Sequence, residues 1–339
     1  MSYEQILTDI KNKSFKPLYL LHGEESYFID EISNALETSV LNETEREFDQ
    51  MVFYGRDASP NEIINAIRRA PMIGRYMVVV VREAQDMKKI EELELYFNKP
   101  SPYGILVIAH KHKKADSRRS WVKTIQKAGV VFESKRLYDN QVPDWIRNYI
   151  KNKGYSITPQ ACMLLAESIG SDLQRVTNEI GKLLINLSQG AQIDENLIEQ
   201  NIGISKDFNV FELNKAIGTK NHVKANQIVN YFAANPGDNP IVLTIGAINQ
   251  HFTRILLTHS NLAEKKGPQA LTSELGIPFT FTKEYYDAAG LYPLNKVKEI
   301  FALLREYDLK SKGLGNESIT HGDLVRELVF KIMHNLPQN

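Results

Sequence analysis

Residues 19–32, YLLHGEESYFIDEI, contain an apolar run, a glycine and a helix-like segment, in the order that surrounds a phosphate loop in nucleotide-binding proteins. That loop reads G-x-x-x-x-G-K-[ST] and is counted here from Gly23. Its second glycine, its lysine and its hydroxyl residue would then stand at Phe28, Ile29 and Asp30. No ammonium reaches the outer phosphates, and the carboxylate of Asp30 would repel an anion. The stretch has the layout of a phosphate site without its chemistry.

Around that stretch, the first 140 residues alternate strand-like and helix-like segments. Several strand-like segments are solid apolar runs, such as MVVVV at 77–81 and ILVIA at 105–109, which suit strands buried on both faces. The repeated strand–helix order predicts a parallel sheet with helices on both faces. The predicted strands are Leu18–His22, Gln50–Tyr54, Tyr76–Arg82, Ile105–His110 and Val130–Glu133, and the predicted helices are Ser26–Leu41, Pro60–Ala70, Lys88–Phe97 and Arg118–Ala128.

The pattern changes after residue 137, because the rest of the chain shows many helical periods and no convincing strand. The segment SKDF at 205–208 interrupts the helical run. The fold class is therefore α/β plus all-α, and we expect three domains. They are an α/β domain over 1–140 without a functional phosphate loop, a small helical domain over 141–207 and a larger helical domain over 208–339.

Length and charge limit the class of protein. The chain has 339 residues, enough for two or three domains of roughly 150 residues each. Its 41 Lys and Arg residues balance 41 Asp and Glu residues, so the formal net charge is zero. A neutral chain is atypical of a stand-alone nucleic-acid coat, although a local basic patch remains possible.

Cysteine usage and hydropathy predict a soluble, intracellular protein. The single cysteine, Cys162, excludes an internal disulfide and a cysteine-built zinc site, which fits a reducing cytoplasm. It lies inside the apolar run ACMLLA, so we expect a core thiol. No stretch approaches the ~18 consecutive apolar residues of a membrane span, and the N-terminus has no apolar core like that of a signal peptide. We expect a cytoplasmic location and no membrane contact.

The strand that contains MVVVV is followed by Arg82 and Glu83. In an ATPase of this layout, the corresponding strand ends in acidic residues that hold magnesium. Arg82 stands where the first of these acidic residues is expected. Glu83 is acidic, but the loop after Gly23 lacks the lysine that would bind the phosphates beside it. We interpret the segment as a buried strand that ends in solvated charges, which argues against ATP hydrolysis.

The segment RRAPMIGRYM at 68–77 places two apolar residues between two helix breakers. Pro71 should stop the preceding helix, and Gly74 permits a tight turn into the next strand. Met72 and Ile73 are then either tucked under the helix or displayed as a small apolar wedge. The residues alone favour tucking. If the pair is displayed, it would serve as an anchor for a pocket on a partner.

A basic cluster lies in HKHKKADSRRSWVK, residues 110–123. It could contact phosphates or an acidic neighbour, or it could be a solvated loop and helix start, and both interpretations stay open. His110 and His112 lie two positions apart without an evident third ligand, so no metal site is expected. The basic residues are Lys111, Lys113, Lys114, Arg118, Arg119 and Lys123.

Five segments in order along nearly the whole chain resemble the delta-subunit family of the bacterial DNA polymerase III clamp loader. They are YLLHGEESYFIDEI, PMIGRYMVVVV, GSDLQRVTNEIGKL, NPGDNPIVLTIGAINQHFTRIL and LREYDLKSKG. The resemblance implies an N-terminal AAA+-like domain with a parallel sheet and helices on both faces, a small helical lid domain and a C-terminal helical collar domain. It also implies a subunit that binds no ATP or other cofactor and has no catalytic residue.

The resemblance also implies partners and a binding site. The partners would be the beta sliding clamp, subunits of the gamma/tau and delta-prime types in a ring of five subunits, and primed DNA through the complex. The clamp-binding positions would be Met72, Ile73 and Gly74, although the family often carries bulkier or aromatic residues there. The basic residues Lys111, Lys113, Lys114, Arg118 and Arg119 are candidates for contact with DNA or a neighbouring subunit.

The resemblance would make the chain a subunit of DNA polymerase III, a nucleotidyltransferase complex, that opens the clamp for loading onto primed DNA during replication. Two alternatives remain at this point. The chain could be an ATP-independent AAA+-like adaptor or scaffold, or it could be an atypical clamp-loader ATPase.

Overall fold

The structure is a computed structural model that describes residues 1–205, 207–315 and 318–334. Small parts of the two predicted helical domains lie outside the described residues. These parts are residue 206, residues 316–317 and residues 335–339.

Two compact units make up the chain, Met1–Leu137 and Tyr138–Asn339. The first unit ends close to the predicted end of the α/β domain at residue 140. The boundary predicted near residue 207 falls inside the second unit, and the division into lid and collar domains stays a prediction.

The first unit is built on five parallel strands, β1 (Leu18–Gly23), β2 (Gln50–Tyr54), β3 (Met77–Arg82), β4 (Gly104–His110) and β5 (Val130–Ser134). They form one sheet in the order β2-β3-β4-β1-β5, and every pair of neighbours is parallel. Each predicted strand is present, and the α/β prediction is confirmed. The helices of this unit are α1 (Tyr3–Lys11), α2 (Ser26–Ser39), α3 (Glu43–Asp49), α4 (Pro60–Ile67), α5 (Glu94–Phe97) and α6 (Ser120–Ala128).

Helices cover both faces of the sheet because its inner strands are apolar on both faces. In β3, Val79 and Val81 belong to a core with α4, α5 and α6, whereas Val78 and Val80 belong to a second core with α1 and α2. All four side chains are fully buried. Burying one such side chain stabilises the fold by about 1.5–3 kcal/mol. The run MVVVV therefore fixes β3 inside the sheet.

Two helix predictions in this unit were wrong in detail. α4 ends at Ile67 and not at Ala70, because Pro71 disfavours helical backbone in the residue before it and the last turn unwinds. The predicted helix over Lys88–Phe97 is a short 3₁₀ turn, Ile90–Leu93, followed by the four-residue α5. The left-handed backbone of Lys89 (φ 57°) separates it from the preceding residues.

Two helices of the first unit, α1 and α3, were not predicted. Both carry the local signals of a helix start. The Ser2 side chain accepts a hydrogen bond from the Gln5 N–H, and Asn42 and Glu45 form a capping box at the start of α3. The sequence therefore contained the signals for these elements.

The second unit is mostly helical, as predicted, but it also contains two short strands. β6 (Ser156–Ile157) and β7 (Gln192–Ile193) pair in parallel, so the prediction of no strand was wrong. Two residues are too few for the alternation that identifies a strand in a sequence. The helices are α7 (Val142–Asn152), α8 (Pro159–Ile169), α9 (Leu173–Ile185), α10 (Glu195–Ile202), α11 (Val210–Gly218), α12 (His222–Ala234), α13 (Ile241–Ala263), α14 (Pro268–Leu275), α15 (Thr282–Leu291), α16 (Leu294–Ser311) and α17 (His321–Met333).

The 23-residue α13 runs through the middle of this unit and packs against α11, α14, α15, α16 and α17. Its Phe252 meets Tyr292 edge to face, with ring centroids 5.2 Å apart. Among the described residues, no helix combines the length and the apolar character needed to span a bilayer.

A buried ion pair links α8 to α13. Arg254 Nη1 lies 2.7 Å from Glu167 Oε1 and donates to the Tyr285 hydroxyl at 3.0 Å. Both charged side chains are at most 5% exposed. Burial lowers the pKa of Arg254, but Tyr285 and Glu167 outweigh it and raise that pKa. The neighbouring His251 is neutral, because burial and the charge of Arg254 lower its pKa to about 3.

Cys162 is a core thiol, as predicted. It is fully buried in α8, and its Sγ–H donates to the Pro143 carbonyl oxygen at 3.1 Å. Burial raises the pKa of the thiol to about 12, so the reactive thiolate is not populated at neutral pH.

We expect the Glu167→Gln substitution to destabilise the second unit by about 3 kcal/mol, because it leaves the Arg254 charge buried without its partner. Urea unfolding measures the change. The fluorescence of Trp145, in α7, reports on this unit once Trp121 has been replaced by Phe.

The matched control is Glu306→Gln, which removes the more exposed pair with Lys310 and should cost less than about 1 kcal/mol. Equal costs for the two substitutions would show that the buried pair contributes no more than a surface pair.

Candidate functional site

The loop that follows β1 is too short to surround a phosphate. Only Glu24 and Glu25 separate β1 from α2, and the helix begins at Ser26. A Cβ on Gly23 would lie 1.9 Å from the Ser134 carbonyl oxygen, and Gly23 has φ 140°. Glycine is therefore required here for close packing against β5, and not for an approach to a ligand.

The polar groups of this loop already have partners inside the chain. The Glu24 N–H donates to the Ser134 carbonyl oxygen at 2.9 Å, and the Ser134 hydroxyl donates to the Glu25 carbonyl oxygen at 2.6 Å. The Glu25 carboxylate accepts from the Tyr27 N–H at 3.0 Å and caps α2. A bound phosphate uses the N–H groups at a helix N-terminus, and here a carboxylate of the chain uses one of them.

Lys111 lies between the two acids that the sequence placed at the nucleotide-type site. Its Nζ is 2.8 Å from Asp30 Oδ1 and 2.9 Å from Glu83 Oε1, and the side chain is only 14% exposed. Burial lowers the pKa of Lys111, but the two carboxylates outweigh it and raise that pKa. An ATPase of this layout holds magnesium between such groups. In this chain a lysine ammonium supplies the positive charge.

The residues at the end of β3 are also paired within the chain, and the side chains of Arg82 and Glu83 are each 35% exposed, so the predicted charges are in part solvated. Arg82 Nη2 donates to Glu37 Oε1 at 2.7 Å and to Glu37 Oε2 at 2.9 Å. Glu83 Oε2 accepts from Gln85 Nε2 at 2.6 Å. Burial raises the pKa of Glu83, but the hydrogen bonds from Lys111 and Gln85 outweigh it and lower that pKa.

The histidines near this site support the turn after β4. His22 Nδ1 accepts from the Ala115 N–H at 3.2 Å, and His110 Nδ1 lies 3.1 Å from the Lys113 carbonyl oxygen. Burial lowers the pKa of both rings. Across the described ranges, no group of three or more His, Cys, Asp or Glu side chains could hold a metal ion.

The basic cluster divides into paired and free side chains. Lys111 is paired inside the molecule, as above, and Lys114 Nζ lies 2.8 Å from Glu133 Oε1. Arg118 pairs with Asp116 at 3.0 Å and stays exposed. Within residues 1–205, the exposed Lys113 and Arg119 form no ion pair. These two, Arg118 and the exposed Lys123 are the members of the cluster best placed to meet a partner.

Met72 and Ile73 are displayed at the surface. Their exposed fractions are 76% and 54%, so the tucked alternative was wrong. They lie on the short connection between α4 and β3. Beyond the pair, Tyr76 packs edge to face against Phe15, with ring centroids 5.8 Å apart, and anchors the end of the connection.

The fully buried carboxylate of Asp49 lies beneath the displayed pair. It accepts hydrogen bonds from three consecutive backbone N–H groups, those of Met72, Ile73 (2.9 Å) and Gly74 (2.6 Å). Burial raises the pKa of Asp49, but the three N–H donors outweigh it and lower that pKa. The carboxylate is therefore ionised at neutral pH.

Gly74 has a spatial role and not the conformational role expected from its sequence. Its φ is not in the positive range that favours glycine. A Cβ there would lie 3.1 Å from Leu41 Cδ2, 3.2 Å from Glu45 Cδ and 3.3 Å from Asp49 Oδ2. The missing side chain lets the loop approach the carboxylate.

Asp49 was not among the predicted site residues. The one local signal was its position as the last residue of α3, where the negative end of the helix dipole disfavours an acid. In the structure the partners of this charge lie outside its helix, in residues 72–74, and the sequence alone does not identify them.

Comparison with known proteins shows which proteins the chain resembles. The family model for the DNA polymerase III delta subunit matches residues 19–135, which include both loops described above. The DNA polymerase III subunit delta of Bacillus subtilis is 24% identical over 313 residues, 89% of this chain and 90% of the relative. The chain is therefore similar to DNA polymerase III delta subunits over most of its length. The resemblance found from its ordered motifs is confirmed.

Two further matches are to proteins of similar description. A probable DNA polymerase III subunit delta of Aquifex aeolicus is 22% identical over 227 residues, 63% of each chain. The solved structure of the Bacillus subtilis DNA clamp loader delta protein has a similar fold, with a TM-score of 0.56 and 20% identity over 98% of this chain and 99% of the other.

We expect the Lys111→Met substitution to destabilise the first unit by about 1–3 kcal/mol, a value between those of exposed and buried pairs. It leaves the carboxylates of Asp30 and Glu83 close together without a cation. Urea unfolding measures the loss, with Trp121 as the reporter in a Trp145→Phe background.

The control is Lys114→Met, which breaks the more exposed pair with Glu133 and should cost less than about 1 kcal/mol. A Lys111→Met protein as stable as this control would mean that the ammonium is not needed to hold the two acids together.

Proposed function

We propose that this chain is the clamp-opening subunit of a clamp loader. It binds a beta sliding clamp through Met72 and Ile73 and helps to open it for loading onto primed DNA, in the cytoplasm and during replication. The observation that carries the proposal is the display of two large apolar side chains, side by side, on a short connection whose backbone is held from below.

Exposed apolar anchors on a held backbone suit tight binding. A few apolar side chains that fill a pocket carry most of the binding free energy of many interfaces. A loop that is already fixed in its bound conformation loses little entropy on binding. Met72 can adapt to the shape of a pocket, whereas the β-branched Ile73 is stiff.

Clamp opening follows from differential binding. A ligand shifts a conformational equilibrium only by binding one state more tightly than the other. We propose that the chain binds the open clamp more tightly than the closed clamp. It makes and breaks no covalent bond in this role, and ATP bound by other subunits of the loader would control access to the displayed pair.

The nucleotide-type site supports a subunit that does not use ATP. The groups that would hold a phosphate and its metal already have partners inside the chain. The N–H groups of Tyr27 and Glu24 donate to Glu25 and to the Ser134 backbone, and Asp30 pairs with Lys111. We propose that the chain assembles with gamma/tau-type and delta-prime-type subunits in a ring of five. An atypical ATPase is the first alternative, and binding of labelled ATP to the isolated chain would favour it.

The second alternative, an ATP-independent adaptor unrelated to replication, predicts no clamp binding by the displayed pair. We expect the isolated chain to bind the clamp in calorimetry, and we expect Met72→Ala/Ile73→Ala to weaken binding by several kcal/mol. Truncation of a buried interface anchor costs about 2 kcal/mol or more for each residue.

Leu95→Ala is the matched control, because Leu95 is 68% exposed on α5 of the same unit. Its affinity should equal that of the wild type. Equal binding by the wild type and the double variant would place the contact elsewhere, and no binding by the wild type would remove the clamp-binding proposal.

We also propose that Lys113, Arg118 and Arg119 contact phosphates of primed DNA in the assembled loader. The side chains are exposed, and charge rather than shape would dominate the contact. In the complex that contains the Lys113→Ala/Arg119→Ala chain, we expect the slope of log affinity against log salt concentration to fall by about 1.8, or 0.9 for each lost phosphate contact.

Lys127→Ala, on the exposed surface of α6, is the control and should leave the slope unchanged. An unchanged slope in the double variant would exclude phosphate contacts by these two side chains.

A further inference from the structure

We infer that Asp49 is the positioning residue for the Met72–Ile73 pair, and that clamp binding depends on its carboxylate although this buried group does not touch the clamp. The inference rests on the proposed clamp contact and adds to it the residue that gives the loop its shape. Asp49 lies at the end of α3, directly before β2, and the loop it binds lies directly before β3.

Parallel strand pairing explains why these two segments meet. β2 and β3 are neighbours in the sheet, with Gln50 opposite Val78. Parallel strands begin at the same edge of a sheet, so the residue before β2 and the connection before β3 lie side by side at that edge. The sheet itself brings the carboxylate to the loop.

The hydrogen bonds explain how the loop is shaped. Three consecutive N–H groups that converge on one anion form a compact turn, and a carboxylate has enough lone pairs to accept all of them. Because the backbone of residues 72–74 faces inward to Asp49, the side chains of Met72 and Ile73 remain at the surface.

Other backbone contacts do not fix this turn. In the described part of the chain, the backbone–backbone bonds on either side are those from the Arg69 N–H to the Ala66 carbonyl oxygen and from the Met77 N–H to the Tyr103 carbonyl oxygen. Between them, the N–H groups of residues 72–74 donate to Asp49. Loss of the carboxylate would therefore release the segment that carries both anchors.

Asp49 is itself held firmly. The capping box of Asn42 and Glu45 fixes the start of α3, and the pairing of β2 fixes the residue after Asp49. Gly74 lies against Leu41 and Glu45 as well as against Asp49, so the loop and α3 are closely packed. The elements on both sides of Asp49 are therefore fixed by contacts that do not involve the loop.

The test is clamp binding by the Asp49→Asn chain. The amide has one acceptor oxygen, and its NH₂ group would face an N–H donor of the loop, so at least one of the three hydrogen bonds is lost. We expect the affinity to fall about 10-fold or more, as for the loss of charge-assisted hydrogen bonds. Asp57→Asn, the same substitution at an exposed position of this unit, should leave affinity unchanged.

A double-mutant cycle separates positioning from general destabilisation. If Asp49 acts through the loop, Met72→Ala should cost much less in the Asp49→Asn background than in the wild type, because the anchor is already misplaced. Amide hydrogen exchange should show faster exchange at residues 72–74 in Asp49→Asn, with unchanged exchange in β4 and α6 as evidence that the unit stays folded.

The outcomes distinguish the two proposals. Suppose that the wild type binds the clamp and Met72→Ala/Ile73→Ala does not. Full affinity in Asp49→Asn, or additive costs in the double-mutant cycle, would then overturn the positioning role of Asp49 and leave the clamp-binding proposal intact. If the wild type does not bind, the clamp-binding proposal fails and the positioning role fails with it.

Discussion

Parallel pairing between β2 and β3 is the interaction on which the exposed loop depends. It brings the end of α3 next to the connection before β3, and the Asp49 carboxylate then binds the N–H groups of residues 72–74. The apolar run of β3 makes this pairing possible, because burial on both faces holds the strand inside the sheet. A surface feature of two residues thus depends on the core of the whole unit.

The same sheet separates the phosphate-type site from the displayed apolar pair. The closed phosphate-type site involves residues at the carboxyl ends of β1, β3 and β4, whereas Met72 and Ile73 precede β3 at the opposite edge. Binding at the carboxyl ends of strands is the common arrangement in open parallel sheets. In this chain that edge is filled by ion pairs, and the available surface lies at the other edge.

Much of the fold could be predicted from the sequence. Apolar runs indicated all five strands of the first unit, and helical periods indicated the character of the second. The missing glycine and lysine after Gly23 were enough to predict the loss of the phosphate loop. The two-residue strands β6 and β7 could not be predicted, because a pattern with a period of two needs more residues to be recognised.

The position of the candidate contact also came from the sequence, through Pro71, Gly74 and the family resemblance. Whether its side chains are buried or displayed depends on Asp49, which is distant in sequence. Lys111 is a similar case, because nothing in a run of basic residues shows that one of them pairs with Asp30 and Glu83. Such contacts follow from the sheet order, which local patterns do not encode.

The ammonium of Lys111 differs from a magnesium ion in one physical respect, because it is covalently attached to the chain. Its local concentration is set by the fold and not by the solution, so chelators, nucleotides and changes in free magnesium leave the charge between Asp30 and Glu83 in place. An ATPase core passes through loaded and empty states, and its shape follows them. In this core the pairing of Lys111 with Asp30 and Glu83 needs no ligand, so the two acids are held together whether or not anything is bound.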